Sequence, residues 1–192
     1  MVSGDSPCGE QGMNIRIIAG YYGGLKIAAP NNRRTHPMSE RIRNALFNSL
    51  AGEIADAEVL DVFAGTGAIG LEAISRGAKS ATFVDKDRTA QRYIARNIES
   101  LGVGDRATLI RTTVSNWLGT KNPQLYDIIF ADPPYWDTQF STVDRIFDLL
   151  KPGGLMILSH PGKGELPTKT GVVVVDNRSY GNAVLTYYRR ET

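Results

Sequence analysis

From residue 58 onward, short apolar runs alternate with amphipathic ones, and this alternation limits the possible folds more than any other feature of the chain. Runs at 58–63, 80–85, 106–111, 126–131 and 154–159 read as buried strands, and the segments 67–76, 87–100, 113–118 and 138–150 read as helices. A strand that reaches a parallel neighbour needs a crossover, and a helix supplies it, so the pattern predicts a mostly parallel sheet with helices on both faces. Two further strands, at about 171–178 and 183–190, joined by Arg178-Ser179-Tyr180-Gly181-Asn182, predict a closing antiparallel hairpin. The expected class is α/β, with a Rossmann-like sheet of seven strands. Ligands of such sheets bind outside the carboxyl ends of the strands, where the strand order reverses.

Three strand ends carry chemistry. Glu58-Val59-Leu60-Asp61-Val62-Phe63 runs into Ala64-Gly65-Thr66-Gly67 and then into a helix with Ile69, Leu71, Ala73 and Ile74 as its apolar residues. Gly65 and Gly67 allow a tight turn and close backbone approach to a ligand, and the helix N-terminus beyond offers unpaired N–H groups. Strand 80–85 ends in Asp85, where a carboxylate takes the hydroxyls of an adenosine ribose. Nicotinamide enzymes share both features. Asp61 argues against them: its carboxylate repels a pyrophosphate and suits the ammonium end of S-adenosyl-L-methionine. No Gly-Lys-Ser/Thr of a nucleoside-triphosphate loop is present.

The third strand end is Asp132-Pro133-Pro134-Tyr135. An exocyclic amine on a base, or a side-chain amide, has a delocalised lone pair, so a methylating enzyme has to hold the NH2 with acceptors and aim it at an electrophile. Asp132 and the Pro133 carbonyl are such acceptors; the prolines remove backbone donors and fix φ, and Tyr135 offers a flat ring for stacking. The same tetrapeptide also occurs as an ordinary exit from a strand into a loop.

At 192 residues the chain suits one catalytic domain with a short addition. A single cysteine, Cys8, excludes an internal disulfide, and His36 and His160 stand too far apart in sequence to suggest a metal cluster. No apolar run of about 18 residues and no signal-like N-terminus appears, so a cytoplasmic, soluble protein without metal or membrane partner is expected, acting as a monomer. The net charge of +2 is unevenly spread: residues 1–12 carry Asp5 and Glu10, whereas 13–50 carry Arg16, Lys26, Arg33, Arg34, Arg41 and Arg43 against Glu40 alone. With Tyr21 and Tyr22 beside them, these cations predict a surface for a phosphate backbone; a solvated basic face is the alternative. Residues 1–12 read as a tail. Residues 13–52 read as a β-hairpin, with strands at 15–19 and 25–28, followed by a helix that Ser39 caps and that buries Ile42, Leu46 and Leu50. Arg41 and Arg43 are expected to flank that stripe at the surface. Residues 53–192 then form the catalytic domain.

Taken together, Asp61 to Gly67, Asp85 and Asp132 to Tyr135 resemble a class I S-adenosyl-L-methionine-dependent N-methyltransferase. The front of the chain narrows this. Arg16-Ile17-Ile18-Ala19-Gly20, Gly23-Gly24-Leu25-Lys26-Ile27 and His36-Pro37-Met38-Ser39-Glu40-Arg41-Ile42-Arg43-Asn44-Ala45-Leu46-Phe47-Asn48 are similar to the N-terminal signature of the RsmD-type 16S rRNA guanine-N2 methyltransferases, and the similarity runs over residues 14–190. The resemblance implies cofactor contacts from Asp61, Phe63, Ala64, Gly65, Thr66, Gly67, Asp85 and Lys86, and catalysis at Asp132, Pro133, Pro134 and Tyr135. It also implies RNA contacts from the N-terminal cations and tyrosines, and methylation of one guanine in the small ribosomal subunit. Two departures stand out: the family commonly has Arg-Pro-Thr-Thr/Ser-Asp-Arg at positions 36–41, and Thr112-Thr113 occupies the place where many related enzymes carry an acid near the adenine. The rivals are a DNA or protein-amide N-methyltransferase, a non-catalytic RNA-binding or assembly factor, and a nicotinamide oxidoreductase.

Overall fold

Two short strands, β1 (Met13–Arg16) and β2 (Lys26–Ala29), open the fold as an antiparallel pair with Ile15 opposite Ile27. The structure, a computed structural model, describes residues 12–31, 38–50, 52–120 and 124–192. Helix α1 (Glu40–Ser49) follows, with the Ser39 side chain accepting the Ile42 N–H at 3.3 Å as its cap.

The central sheet is built from β3 (Glu58–Val62), β4 (Ser80–Asp85), β5 (Ala107–Arg111), β6 (Tyr126–Ala131), β7 (Leu150–His160), β8 (Val172–Tyr180) and β9 (Ala183–Arg190). They lie in the order β5-β4-β3-β6-β7-β9-β8, and β9 runs antiparallel to both of its neighbours. Alternate residues along each strand feed two apolar clusters. Val59, Phe83, Ile128, Phe130, Leu155 and Ile157 point to one face, whereas Leu60, Val62, Val84, Ile129, Met156 and Leu158 point to the other. Helices α2 (Ala68–Ser75) and α3 (Arg88–Leu101) cover the first face together with the hairpin and α1, and α4 (Val114–Leu118) and α5 (Phe140–Ile146) cover the second. Every residue of α2 is buried, and it lies so close to β4 that a Cβ at Gly70 would stand 2.3 Å from Phe83 Cε1.

The first strand, expected at 15–19, instead runs Met13–Arg16, the residues that pair with Lys26–Ala29, and two later elements also differ from the sequence expectation. The helix expected over 138–150 ends at Ile146, passes through a 3-10 turn at Phe147–Leu149 and gives way to β7 four residues early. The cause is Lys151-Pro152-Gly153-Gly154, which joins the strand as an irregularity opposite Tyr126 and Ile128. Gly153 takes φ 76°, and a Cβ at Gly154 would meet Lys151 O at 2.9 Å. The turn between β8 and β9 shrinks to Gly181 and Asn182, because Tyr180 already pairs with Ala183.

The N-terminal unit is fastened to the sheet domain by buried polar side chains. Glu72 on α2, fully buried, accepts the Ile18 N–H at 2.7 Å, the Ala19 N–H at 3.1 Å and Arg76 Nε at 2.7 Å. Ser75 O and Oγ take the N–H groups of Tyr21 and Tyr22, at 2.7 and 3.0 Å. Asn97 on α3 pairs with both main-chain groups of Ala28 and gives its other amide hydrogen to the Thr66 carbonyl at 3.0 Å. Arg43, read from the sequence as a surface cation, is instead 1% exposed. Its guanidinium donates to Arg16 O at 2.6 Å and Met38 O at 3.3 Å and lies 3.8 Å from Glu72. It holds the entry to α1 and is not available to a phosphate.

Replacing Glu72 by Ala strands Arg43 and two main-chain N–H groups inside the protein. Such a loss costs about 3–5 kcal/mol, and the expected outcome is a fall of that size in the unfolding free energy read from urea melts, with Glu72→Gln falling less because it keeps one acceptor.

Candidate active site

The carboxyl ends of β3, β4, β6 and β7 meet at one cleft of about 650 Å³. At the end of β3, Asp61 is 1% exposed and accepts the Gly70 N–H at 2.9 Å, which ties it to the first turns of α2. The chain then turns sharply. Phe63 sits at φ 61°, a conformation that costs a non-glycine residue about 1 kcal/mol or more, and Gly65 and Gly67 take φ 58° and 77°. The turn is held by the Gly67 N–H on Ala64 O at 2.8 Å and by Asp85, whose Oδ2 accepts the Gly65 N–H at 2.8 Å. Asp85 Oδ1 accepts the Asp87 N–H at 2.8 Å, and Asp87 in turn caps α3 through Ala90 N. One lone pair of each Asp85 oxygen is thereby used, and the other is free to accept from a ligand hydroxyl.

Across the cleft, β6 delivers Asp132 and the buried Pro133. Tyr135 turns inward, its hydroxyl 2.9 Å from Oγ of Ser159, a 2% exposed residue at the end of β7. The Asp137 N–H on Pro134 O at 2.9 Å closes a turn around Tyr135 and Trp136. Of the residues expected to form the site, Asp61, Phe63, Ala64, Gly65, Thr66, Asp85, Lys86 and Asp132 through Tyr135 all line this cleft. Gly67 stands behind it as the left-handed residue that starts α2.

Charge in the cleft is one-sided: Asp61, Asp85, Asp87 and Asp132 face a single lysine, Lys86. Burial holds the Asp61 carboxyl well above the usual range against the opposing Gly70 hydrogen bond, with Asp132 and Asp85 adding to the rise. Burial likewise raises Asp85, and it raises Asp132 to about 6 against the opposing influence of the Ser159 hydroxyl. Three carboxylates that resist ionisation in each other's company suit a cationic ligand, whose charge offsets their repulsion. S-adenosyl-L-methionine, with its ammonium and sulfonium, fits this donor set; a pyrophosphate does not.

Apart from Thr113, named above for its place near the adenine, the sequence reading did not expect several residues to line the cleft. Met38, Ser39 and Ile42 bring the start of α1 to the cleft, Ser159 closes its floor, Thr113 joins it while capping α4, and Trp136, Gln139 and Asn182 edge it. Ser159 was findable, since it ends the strand next to β6. Asn182 was not, because only the tertiary fold brings the β8–β9 turn there.

Of the N-terminal cations expected to meet RNA, Arg16 and Lys26 lie opposite each other in the hairpin, and Arg16 reaches Glu40 at the start of α1. Tyr21 is 88% exposed and stacks edge-on to Tyr22 at 4.9 Å, while Tyr22 holds Arg106 at 3.1 Å through its hydroxyl. Lys26 and Arg41 are exposed, and Arg16 is exposed but paired with Glu40. Arg33, Arg34 and His36 lie outside the described residues.

Comparison with solved structures places the fold among the class I methyltransferases. A putative methyltransferase, yhhF, from Escherichia coli matches with a TM-score of 0.84 at 32% identity, over 93% of this chain and 99% of that one. The putative methyltransferase SMU.776, solved as a complex with SAH, matches at 16% identity with a TM-score of 0.70, over 98% of this chain and 58% of that one, a likeness of fold alone. The family described as "Conserved hypothetical protein 95" matches residues 15–189, and the chain belongs to it; this is the RsmD family. Ribosomal RNA small subunit methyltransferase D of Escherichia coli (strain K12) is 40% identical over 121 residues, which are 63% of this chain and 60% of that relative's length.

Because the folded pKa of Asp132 lies above its unfolded value, its ionisation opposes folding. The penalty is absent below about pH 4 and complete above about pH 6. Asp132→Asn is therefore expected to stabilise the cofactor-free protein at pH 8 by up to about 3 kcal/mol and to leave it unchanged near pH 4, as read from urea melts across that range.

Proposed function

We propose that this chain methylates the exocyclic N2 amine of a guanine in 16S rRNA, using S-adenosyl-L-methionine, with the small ribosomal subunit as substrate. It works as a monomer and without a metal. The observation that carries this reading is the acceptor-only corner of Asp132 and the Pro133 carbonyl, set in the same cleft as Asp61 and Asp85. The name of the Escherichia coli relative, a small-subunit rRNA methyltransferase, supports the substrate, and the SAH complex of the distant structural neighbour supports the cofactor.

When bound, S-adenosyl-L-methionine supplies an electrophilic methyl group on a sulfonium. Asp61 and Asp85 provide the charge that receives it, and the free lone pairs of Asp85 accept its ribose hydroxyls. A guanine turned out of its RNA context enters against the Tyr135 ring, which Ser159 fixes from behind. The Asp132 carboxylate and the Pro133 carbonyl each accept one N2 hydrogen, which restrains the amine in a near-attack position. Asp132 also receives the surplus proton once the nitrogen becomes cationic, a task suited to a carboxyl raised toward 6.

Asp132→Ala is expected to lower turnover by about 10²–10⁴-fold while changing cofactor affinity only a few fold; equal losses in both would remove its assigned role. A cationic ligand stabilises the ionised carboxylates, so cofactor binding at pH 6 releases protons, detectable as a binding heat that varies with the ionisation heat of the buffer. The substrate is tested by transfer of labelled methyl to small subunits lacking the modification, beside naked rRNA, duplex DNA and total protein, followed by nucleoside mass analysis. N2-methylguanosine is expected from the subunits, whereas label in DNA or protein would overturn the substrate.

A further inference from the structure

Trp136 is the largest side chain at the mouth of the cleft, and it is 77% exposed. A lone exposed apolar residue is ordinary on a protein surface; the placement of this one is not. It follows Tyr135 directly, within a turn pinned by the Asp137 N–H on Pro134 O at 2.9 Å. Tyr135 is drawn inward by Ser159, so the two aromatic side chains of one turn serve different places, Tyr135 the wall beside Asp132 and Trp136 the outer edge. The other tryptophan of the chain, Trp117, is half-buried and packs against Tyr126 at 6.5 Å. Among the described residues Trp136 has no aromatic or cationic partner.

We propose that Trp136 is a stacking platform for the RNA base next to the target guanine. The inference rests on the RNA reading of the cleft given above. Turning a guanine out of its strand removes one stacking face from each neighbouring base. An indole at the lip, one residue from the ring that receives the guanine, replaces that lost face and holds the strand open. Stacking needs only a flat π surface, so the contact tolerates any neighbouring base and contributes affinity rather than sequence choice.

The test measures methyl transfer to unmodified small subunits by four proteins: wild type, Trp136→Ala, Trp136→Phe and Trp136→Leu. Loss of one base–aromatic stack is expected to raise KM for the subunit about 5- to 100-fold in Trp136→Ala, with kcat within about twofold and cofactor affinity unchanged by calorimetry. Phe restores most of the loss, whereas Leu, which keeps apolar area without a π face, does not. The side chain is solvent-exposed, so thermal midpoints within a degree or two of wild type are expected for all variants and separate the effect from misfolding. An unchanged KM in Trp136→Ala, or equal rescue by Leu and Phe, would overturn the stacking role while wild-type activity left the RNA reading standing. Failure of the wild type to modify RNA at all would instead overturn both.

Discussion

The parallel pairing of β3 with β6 at the middle of the sheet is the constraint on which the rest depends. Val59 lies beside Ile128 and Val62 beside Ala131, and both strands are buried on both faces, so a slip of one residue would exchange the side chains of the two cores and spoil the packing of both. After β3 the chain crosses one face through α2 toward β4, and after β6 it crosses the other through α5 toward β7. The two exits diverge and leave a crevice between them. Asp61 and Asp132 are its walls because each is fixed by the last turn of a strand that cannot move.

Much of this was legible in the chain. Buried parallel strands are nearly continuous runs of apolar residues, and 58–62, 80–85 and 126–131 end where those runs end. Asp61, Asp85 and Asp132 were readable because each interrupts or closes such a run. Arg43 was not readable. Helical spacing placed it beside the apolar stripe, but the carboxylate that takes it inside, Glu72, lies 29 positions later on another helix, and only the tertiary fold joins them. The early start of β7 escaped for a related reason: Pro152 and Gly153 signal a turn locally, and the sheet absorbs them as an irregularity. Asn97 looks like an ordinary helix residue until the Thr66 carbonyl and the Ala28 main chain are brought to it.

The electrostatics of the molecule are not those of its composition. The basic front of the chain spends Arg43 inside and Arg16 on Glu40, which leaves Lys26 and Arg41 as its exposed cations without a carboxylate partner among the described residues. Acidic charge, spread thinly along the remainder of the sequence, is gathered by the fold into one crevice, where burial opposes its ionisation. Phe63, held at positive φ in the same loop, adds backbone strain there, while a cation in the cleft offsets the unfavourable ionisation of the carboxylates.

The joint between the N-terminal unit and the sheet domain has one further property. The groups that Glu72, Ser75 and Asn97 grip on the hairpin side are main-chain atoms of Ile18, Ala19, Tyr21, Tyr22 and Ala28. A peptide N–H is the same whatever side chain its residue carries. The polar half of the attachment is thus indifferent to side chains, whereas Ile15, Ile17 and Ile27 are buried in the shared core and a Cβ at Gly20 would stand 1.9 Å from Ser75 O; only the outward positions of the hairpin can be rewritten while the attachment stays intact.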